Sequence, residues 1–283
     1  VQPMTKTRVL AALIMAPAAI AAILLLPSQW LAAAAAAVFL IGLWEWLKLA
    51  GVEDTLARTT LLLLNLVLMV LVVWDRDASL FLFRVAALVG VGWWLLALLW
   101  LRFFNFGAQP DSPARALKLL AGTLAILPAW ASLVLLHATS DQGHLWLLTA
   151  LAVVWAADSG AYFAGRTFGR HKLAPRISPN KTWEGLFGGL IAGLLVATAF
   201  GLGFGVDAWQ LVTPAQLPWL LLVTVVAVFA SVLGDLFESL LKRHAGAKDS
   251  GHIIPGHGGV LDRIDGVLAA LPVFAIGKEI FGL

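Results

Sequence analysis

The chain has 283 residues, 61% of them hydrophobic and only 12% charged, with a mean hydropathy of +0.92 and 13 tryptophans. Soluble domains carry about a quarter charged residues, so a soluble globular fold is excluded and an all-α, polytopic membrane protein is expected. The lack of cysteine excludes disulfide and thiolate chemistry, and a net charge of +3 gives no reason to expect a nucleic acid polymer as partner.

Apolar stretches of about 17 to 25 residues cross a hydrocarbon core of about 30 Å as helices, which satisfy every backbone group within one segment. About nine such spans are expected, at residues 9–26, 30–49, 59–74, 79–101, 117–137, 145–165, 183–205, 217–240 and 264–282. Lys6 and Arg8 precede the first as they would a cleavable signal peptide, but its apolar run is long for one. The third is short, and Gly266, Pro272 and Gly277 interrupt the ninth.

Lys and Arg near span ends are retained on the cytoplasmic side. With the N-terminus inside, 16 of the 19 basic residues fall on that side, all but Arg76, Arg84 and Lys278. The chain is therefore expected to begin in the cytoplasm and end outside it. Most of the inside charge lies in two loops, "RTFGRHKLAPRISPNKTWEG" and "KRHAGAKDSGHIIPGHGGVLDRIDG". Ordinary anchoring to anionic headgroups explains their sign, but not the glycines, histidines and carboxylates mixed in.

Ionisable groups inside spans are costly and mark function. Asp158 in the sixth span and Asp235 in the eighth lie about seven residues from their inside ends, roughly 10 Å along a helix. Asp262 and Asp265 stand where the ninth begins on the same side, so four acids share one depth. Asp235, Glu238, Ser239 and Lys242 follow i, i+3, i+4, i+7, a polar stripe that must face a bundle interior or a wet cavity.

Clustered carboxylates suit Mg²⁺, which uses one or two of them plus substrate phosphates. Lys, Arg and glycine-rich backbone suit the phosphates themselves. Together they point to metal-assisted phosphoryl or nucleotidyl transfer. "GLGFG" at 201–205 and "GHGG" at 256–259 match neither the P-loop nor the GxGxxG spacing.

"SLLKRHAGAKDSGHIIPGHGGVLDRID", Ser239 to Asp265, resembles the signature of the phosphatidate cytidylyltransferases, or CDP-diacylglycerol synthases: Ser, Lys-Arg, Lys-Asp, Pro-x-His-Gly-Gly and Asp-Arg-x-Asp. "DSGAYFAGRTFGRHKLAPRISPNKTWEG", Asp158 to Gly185, is similar to a second block of that family. The resemblance is strong over 158–265 and only general in the N-terminal spans. It divides the chain into N-terminal scaffold and lipid-facing helices, 1–140, and a catalytic region, 141–283, with cytoplasmic loops at 166–182 and 241–263.

The resemblance implies a cell-membrane enzyme that condenses CTP with phosphatidic acid at the cytoplasmic face, among membrane lipids. The lipid phosphate is already a nucleophile, so no strong base is needed, and charge repulsion is the barrier that Mg²⁺ and basic groups lower. Asp235 and Asp262 are expected to hold Mg²⁺, with Asp158 and Asp265 as further ligands; the alternative is that Arg243 or Arg263 neutralises them. Lys242, Arg243, Lys248 and Arg263 are expected on phosphates, and His257, Gly258 and Gly259 in a tight turn facing them. Ser178, Asn180, Lys181 and Thr182 precede a helix start that favours anions; Glu184, Ser239 and Asp249 complete the substrate contacts. A second cation and a homodimer stay open.

Trp30, Trp44, Trp46, Trp93, Trp94 and Trp100 are read as interfacial belt residues. Asn65 and His137 are read as inter-helical hydrogen-bond partners, and Ala32 to Ala37 as a close-packing segment. Two rival functions share some of these features. A lipid kinase or a nucleotidyltransferase for isoprenoid lipids would differ in acceptor. A cation-coupled transporter would place its acids at midplane in both halves, whereas these lie near one face of one half.

Overall fold

The structure, a computed structural model, describes residues 3–74, 80–109, 111–254 and 258–283, with side chains from Ile14 onward except at Ser112. Nine helices dominate the described residues: α1 (Pro3–Leu25), α2 (Ser28–Leu49), α3 (Thr55–Trp74), α4 (Phe81–Arg102), α5 (Ser112–Ala138), α6 (Gly143–Phe168), α7 (Trp183–Gly201), α8 (Leu217–His244) and α9 (Leu261–Ile280). Seven of them, α2 to α8, are long and apolar enough to cross a membrane. The chain is thus an all-α polytopic membrane protein. In α9, Asp262, Arg263, Asp265, Lys278 and Glu279 dilute the apolar run.

Several helices outrun the expected spans, α5, α6 and α8 among them. α5 begins at Ser112 because Asp111 caps it, accepting from Ala114 N at 2.9 Å, with a proline in its first turn. α6 continues to Phe168 and α8 to His244. Between α6 and α7, where only a loop is expected, a two-stranded antiparallel hairpin forms from β1 (Lys172–Ala174) and β2 (Ser178–Thr182), pairing Lys172 with Thr182 and Ala174 with Ser178.

Close approach, rather than apolar bulk, sets the packing of the C-terminal half. Within lipid, helices associate through small residues that let backbones meet. A Cβ on Gly160 of α6 would stand 2.6 Å from the Gly188 carbonyl of α7, and one on Gly234 of α8 would strike the Asp265 carbonyl of α9. The latter contact brings the acids of α8 and α9 side by side.

Four of the six tryptophans read as belt residues lie in the core instead. Trp46, Trp93, Trp94 and Trp100 are buried and surround Phe237 of α8, with ring centroids 5.4 to 6.0 Å away. Three satisfy their indole N–H inside the protein: Trp46 on the Lys118 carbonyl (2.8 Å), Trp94 on Leu268 (3.0 Å) and Trp100 on Phe106 (2.8 Å). A buried indole with a partner packs as well as any apolar ring. Of the others, Trp30 is exposed, as a belt residue would be. His137 joins Ser28 to the Ile23 carbonyl as expected, but Asn65 donates to Leu61 within its own helix.

The aromatic cluster fixes α8 against α2 and α4. α9 in turn packs on α2, α4 and α5 as well as on α8. A single buried core therefore runs across both halves of the sequence.

Candidate active site

The hairpin is folded over the end of α8 by a few directed bonds. Trp183 N donates to the His171 carbonyl at 3.0 Å, and Arg243 Nε reaches the Ile177 carbonyl at the turn, 3.1 Å. Glu184 accepts from the backbone N–H groups of Arg170 (3.1 Å) and His171 (3.2 Å) and from His171 Nδ1 (2.6 Å). Glu184 and Arg243, expected on substrate, thus hold the hairpin in place. Thr182 caps α7, accepting from Gly185 N at 3.1 Å, so the expected helix start beneath the nucleotide contacts is present.

Beneath the hairpin lies an open pocket of about 290 Å³. Its polar lining is Asp158 from α6, Asp235 from α8, and Ser178, Asn180, Lys181 and Thr182 from β2; Tyr162, Leu173, Leu186 and Val232 add an apolar side. Of the polar stripe on α8, Asp235 faces this cavity, while Glu238 is buried and paired with Lys242. Lys181 Nζ lies 2.5 Å from Asp235 Oδ2, and Ser239 Oγ approaches Asp235 Oδ1 at 3.4 Å. Asp265 lies within electrostatic range of Asp158 and Asp235, and Arg263 within range of Asp158. Asp158, Asp235 and Asp265 therefore form one acidic field, met by Lys181 and Arg263.

Asp262 sits in a second, tighter arrangement next to it. Its Oδ1 takes Lys242 Nζ at 2.7 Å; its Oδ2 takes Gly259 N (2.8 Å), Ser250 N (3.0 Å) and Ser250 Oγ (3.0 Å). Lys242 also pairs with Glu238 at 2.6 Å. The cations paired directly with Asp235 and Asp262 are thus Lys181 and Lys242. The Gly259 N–H, expected in a phosphate-facing turn, is used by Asp262.

Gly258 has φ +85°, which only glycine adopts freely, and its backbone carbonyl accepts from Ile254 N at 3.0 Å. Lys248 and Asp249 are exposed on the loop beside it. His257 lies outside the described residues.

Residues that sequence reasoning passed over also contribute. Tyr162 lines the pocket, its hydroxyl accepting from Arg166 at 3.1 Å. Glu45 of α2 reaches the loop before α9, accepting from Leu261 N at 2.8 Å and Ser250 Oγ at 3.1 Å. The signal for Glu45 was present: it is the single acid in the span 30–49.

The donor set suits Mg²⁺. Asp158 and Asp235 offer hard oxygens to one pocket, and the Lys181 ammonium at Asp235 shows that a cation fits there. Among the described residues no three acidic or histidine side chains gather to hold a metal unaided; Mg²⁺ ordinarily completes its shell with water and phosphate.

A helical membrane protein with an acid-and-lysine pocket beneath a basic hairpin belongs to the class of membrane-embedded enzymes that handle phosphates. The family is then shown by comparison: residues 6–281 match the model of the cytidylyltransferase family, and the chain belongs to it. It is 39% identical to a phosphatidate cytidylyltransferase of Haemophilus influenzae, over 96% of this chain and 98% of that one. It is 41% identical to one of Pseudomonas aeruginosa, over 96% of each. A Bacillus subtilis phosphatidate cytidylyltransferase is 48% identical over 47% of each chain.

Proposed function

We propose that this chain catalyses the condensation of CTP with phosphatidic acid to CDP-diacylglycerol and pyrophosphate, from the cytoplasmic face of a bacterial inner membrane. The observation that carries the reading is a pocket in which Asp158, Asp235, Lys181, Ser178 and Asn180 meet beside the basic segment that joins α6 to α7.

A phosphate oxygen of phosphatidic acid attacks the α-phosphorus of CTP, the bond from that phosphorus to the bridging oxygen breaks, and pyrophosphate leaves. No side chain needs to remove a proton, because the nucleophile is already an anion. The obstacle is the approach of two polyanions. Lys181 and Arg263 sit where they offset that repulsion, and the N-terminus of α7 under Thr182 adds its dipole to the same side.

Mg²⁺, when bound, supplies further charge neutralisation. Asp235 and Asp158, which share the pocket, would hold it with water and phosphate completing its shell, while Asp265 and Asp262 would add negative charge beside it. The Asp235 oxygen paired with Lys181 is the one that such an ion would compete for. Tyr162, Leu173, Leu186 and Val232 would give the lipid an apolar side of the pocket to lie against.

The test is purified protein in lipid, with CTP and phosphatidic acid, with and without Mg²⁺. CDP-diacylglycerol and pyrophosphate in equal amounts, lost on chelation, are expected. No product from folded protein, or product only with an isoprenoid lipid phosphate as acceptor, would overturn the assignment.

A further inference from the structure

Glu45 lies on α2, far in sequence from the signature residues, and is 2% exposed. No lysine, arginine or histidine pairs with it among the described residues. Its Oε2 instead takes two donors from the loop that joins α8 to α9. Ser250 Oγ stands 3.1 Å away within that loop, and Leu261 N stands 2.8 Å away where α9 begins.

Leu261 N is the first amide of α9, and Val260, which precedes it, offers no side-chain cap. An acid near a helix N-terminus satisfies a free N–H and complements the dipole. Glu45 therefore caps α9 from another helix. Ser250 also contacts Asp262, and both Ser250 and Gly259 donate backbone N–H groups to it. A Cβ on Gly251 or Gly259 would collide with the Glu45 carboxylate, so the loop is glycine at two points where this acid intrudes.

We propose that Glu45 is a positioning residue for the transfer reaction: by holding residues 250 and 261 at once, it fixes the loop between them and keeps the Asp262 carboxylate aimed at Lys242. The proposal rests on the cytidylyltransferase reading above. It assigns to an N-terminal helix a direct part in shaping the site.

The experiment uses the full chain in lipid and the variants Glu45→Gln and Ser250→Ala, each of which keeps side-chain size closely enough to fold. Glu45→Gln leaves one acceptor oxygen but removes the charge that holds two donors. Its kcat should fall about 10- to 100-fold, the range met when an outer partner of a site carboxylate is removed, with KM for CTP and the thermal midpoint little changed. Because both residues act through one clamp, the double variant should be hardly slower than the slower single.

Amide exchange across residues 250–261 in substrate-free protein gives a readout independent of turnover, and should quicken in Glu45→Gln. Wild-type protein that makes no CDP-diacylglycerol would sink the reaction, while the exchange result would still decide the clamp. A full wild-type kcat in Glu45→Gln, unchanged exchange, or rate losses that multiply in the double variant would each overturn the proposal.

Discussion

Lys181 on the hairpin and Asp235 on α8 meet at 2.5 Å across the mouth of the pocket, although 54 residues separate them. Their side chains remain 23% and 32% exposed, so water can solvate either one if the other is lost. The pair is therefore poor as a structural staple and well placed for exchange with substrate and metal.

Asp235→Asn changes charge with almost no change in volume. Turnover should be abolished, while stability should fall by less than about 1 kcal/mol, as for partly exposed ion pairs. Thermal unfolding alongside the assay checks this. A loss of about 3 to 5 kcal/mol would mark Asp235 as a buried counter-ion.

Asp262→Asn should behave differently. The Asp262 side chain is 8% exposed and takes three nitrogen donors, sharing the Ser250 hydroxyl with Glu45, and an amide would turn its NH₂ toward some of them. Activity and stability should fall together, by about 3 to 5 kcal/mol in stability, because Lys242 and the loop amides lose a charged partner. Extra Mg²⁺ should restore activity partly at best. An active, wild-type-stable Asp262→Asn protein would remove Asp262 from the site.

Gly258→Ala and Gly246→Ala make a matched pair. Both positions have positive φ, +85° and +64°. A Cβ at 246 meets nothing within 4 Å, whereas one at 258 comes 2.8 Å from Asp262 Oδ2. Both variants should lose about 1 to 2 kcal/mol of stability through the left-handed backbone. Only Gly258→Ala should lose kcat/KM by more than about tenfold. Equal activities in the two would show that the turn's proximity to Asp262 does not matter.

Phe237→Ala tests the aromatic cluster behind α8. Phe237 is fully buried among four tryptophans. Truncation should cost about 3 to 5 kcal/mol, as for other buried aromatic rings. Trp30→Ala, at an exposed position, should change the unfolding midpoint far less. Similar midpoints for the two variants would contradict this packing.

Topology is checked with reporters. Fusions after His171 and after Lys248 should read cytoplasmic, and one after Gln210 external. The reason is the basic bias, because an N-terminus inside would put all but Arg76, Arg84 and Lys278 on the cytoplasmic side. An external signal at 171 or 248 would part the pocket from cellular CTP.

The sequence by itself determined the helical spans and the motif. Span positions follow from apolar length, which needs no partner to be recognised, and every expected span corresponds to a helix. The convergence of Asp158, Asp235 and Asp265 was legible for a related reason: charge in lipid is costly, so acids at one depth on successive spans have little choice but to meet. Local helical spacing likewise placed Glu238, Ser239 and Lys242 on the face of Asp235.

Tertiary structure alone decided which charges pair and which tryptophans are buried. Lys181 reaches Asp235 because a hairpin folds back over α8, and Lys242 reaches Asp262 because Gly234 lets α9 close on α8. Trp46, Trp93, Trp94 and Trp100 sit at sequence positions that suit a membrane interface equally well. Whether an indole meets lipid or Phe237 depends on where the next helix lies, and helix neighbours in a bundle are set by close backbone approach, which hydropathy does not encode. Glu45 shows the same limit: a single acid in a span announces that it has a partner, but only the fold shows that the partners are a serine within the α8–α9 loop and the first amide of α9.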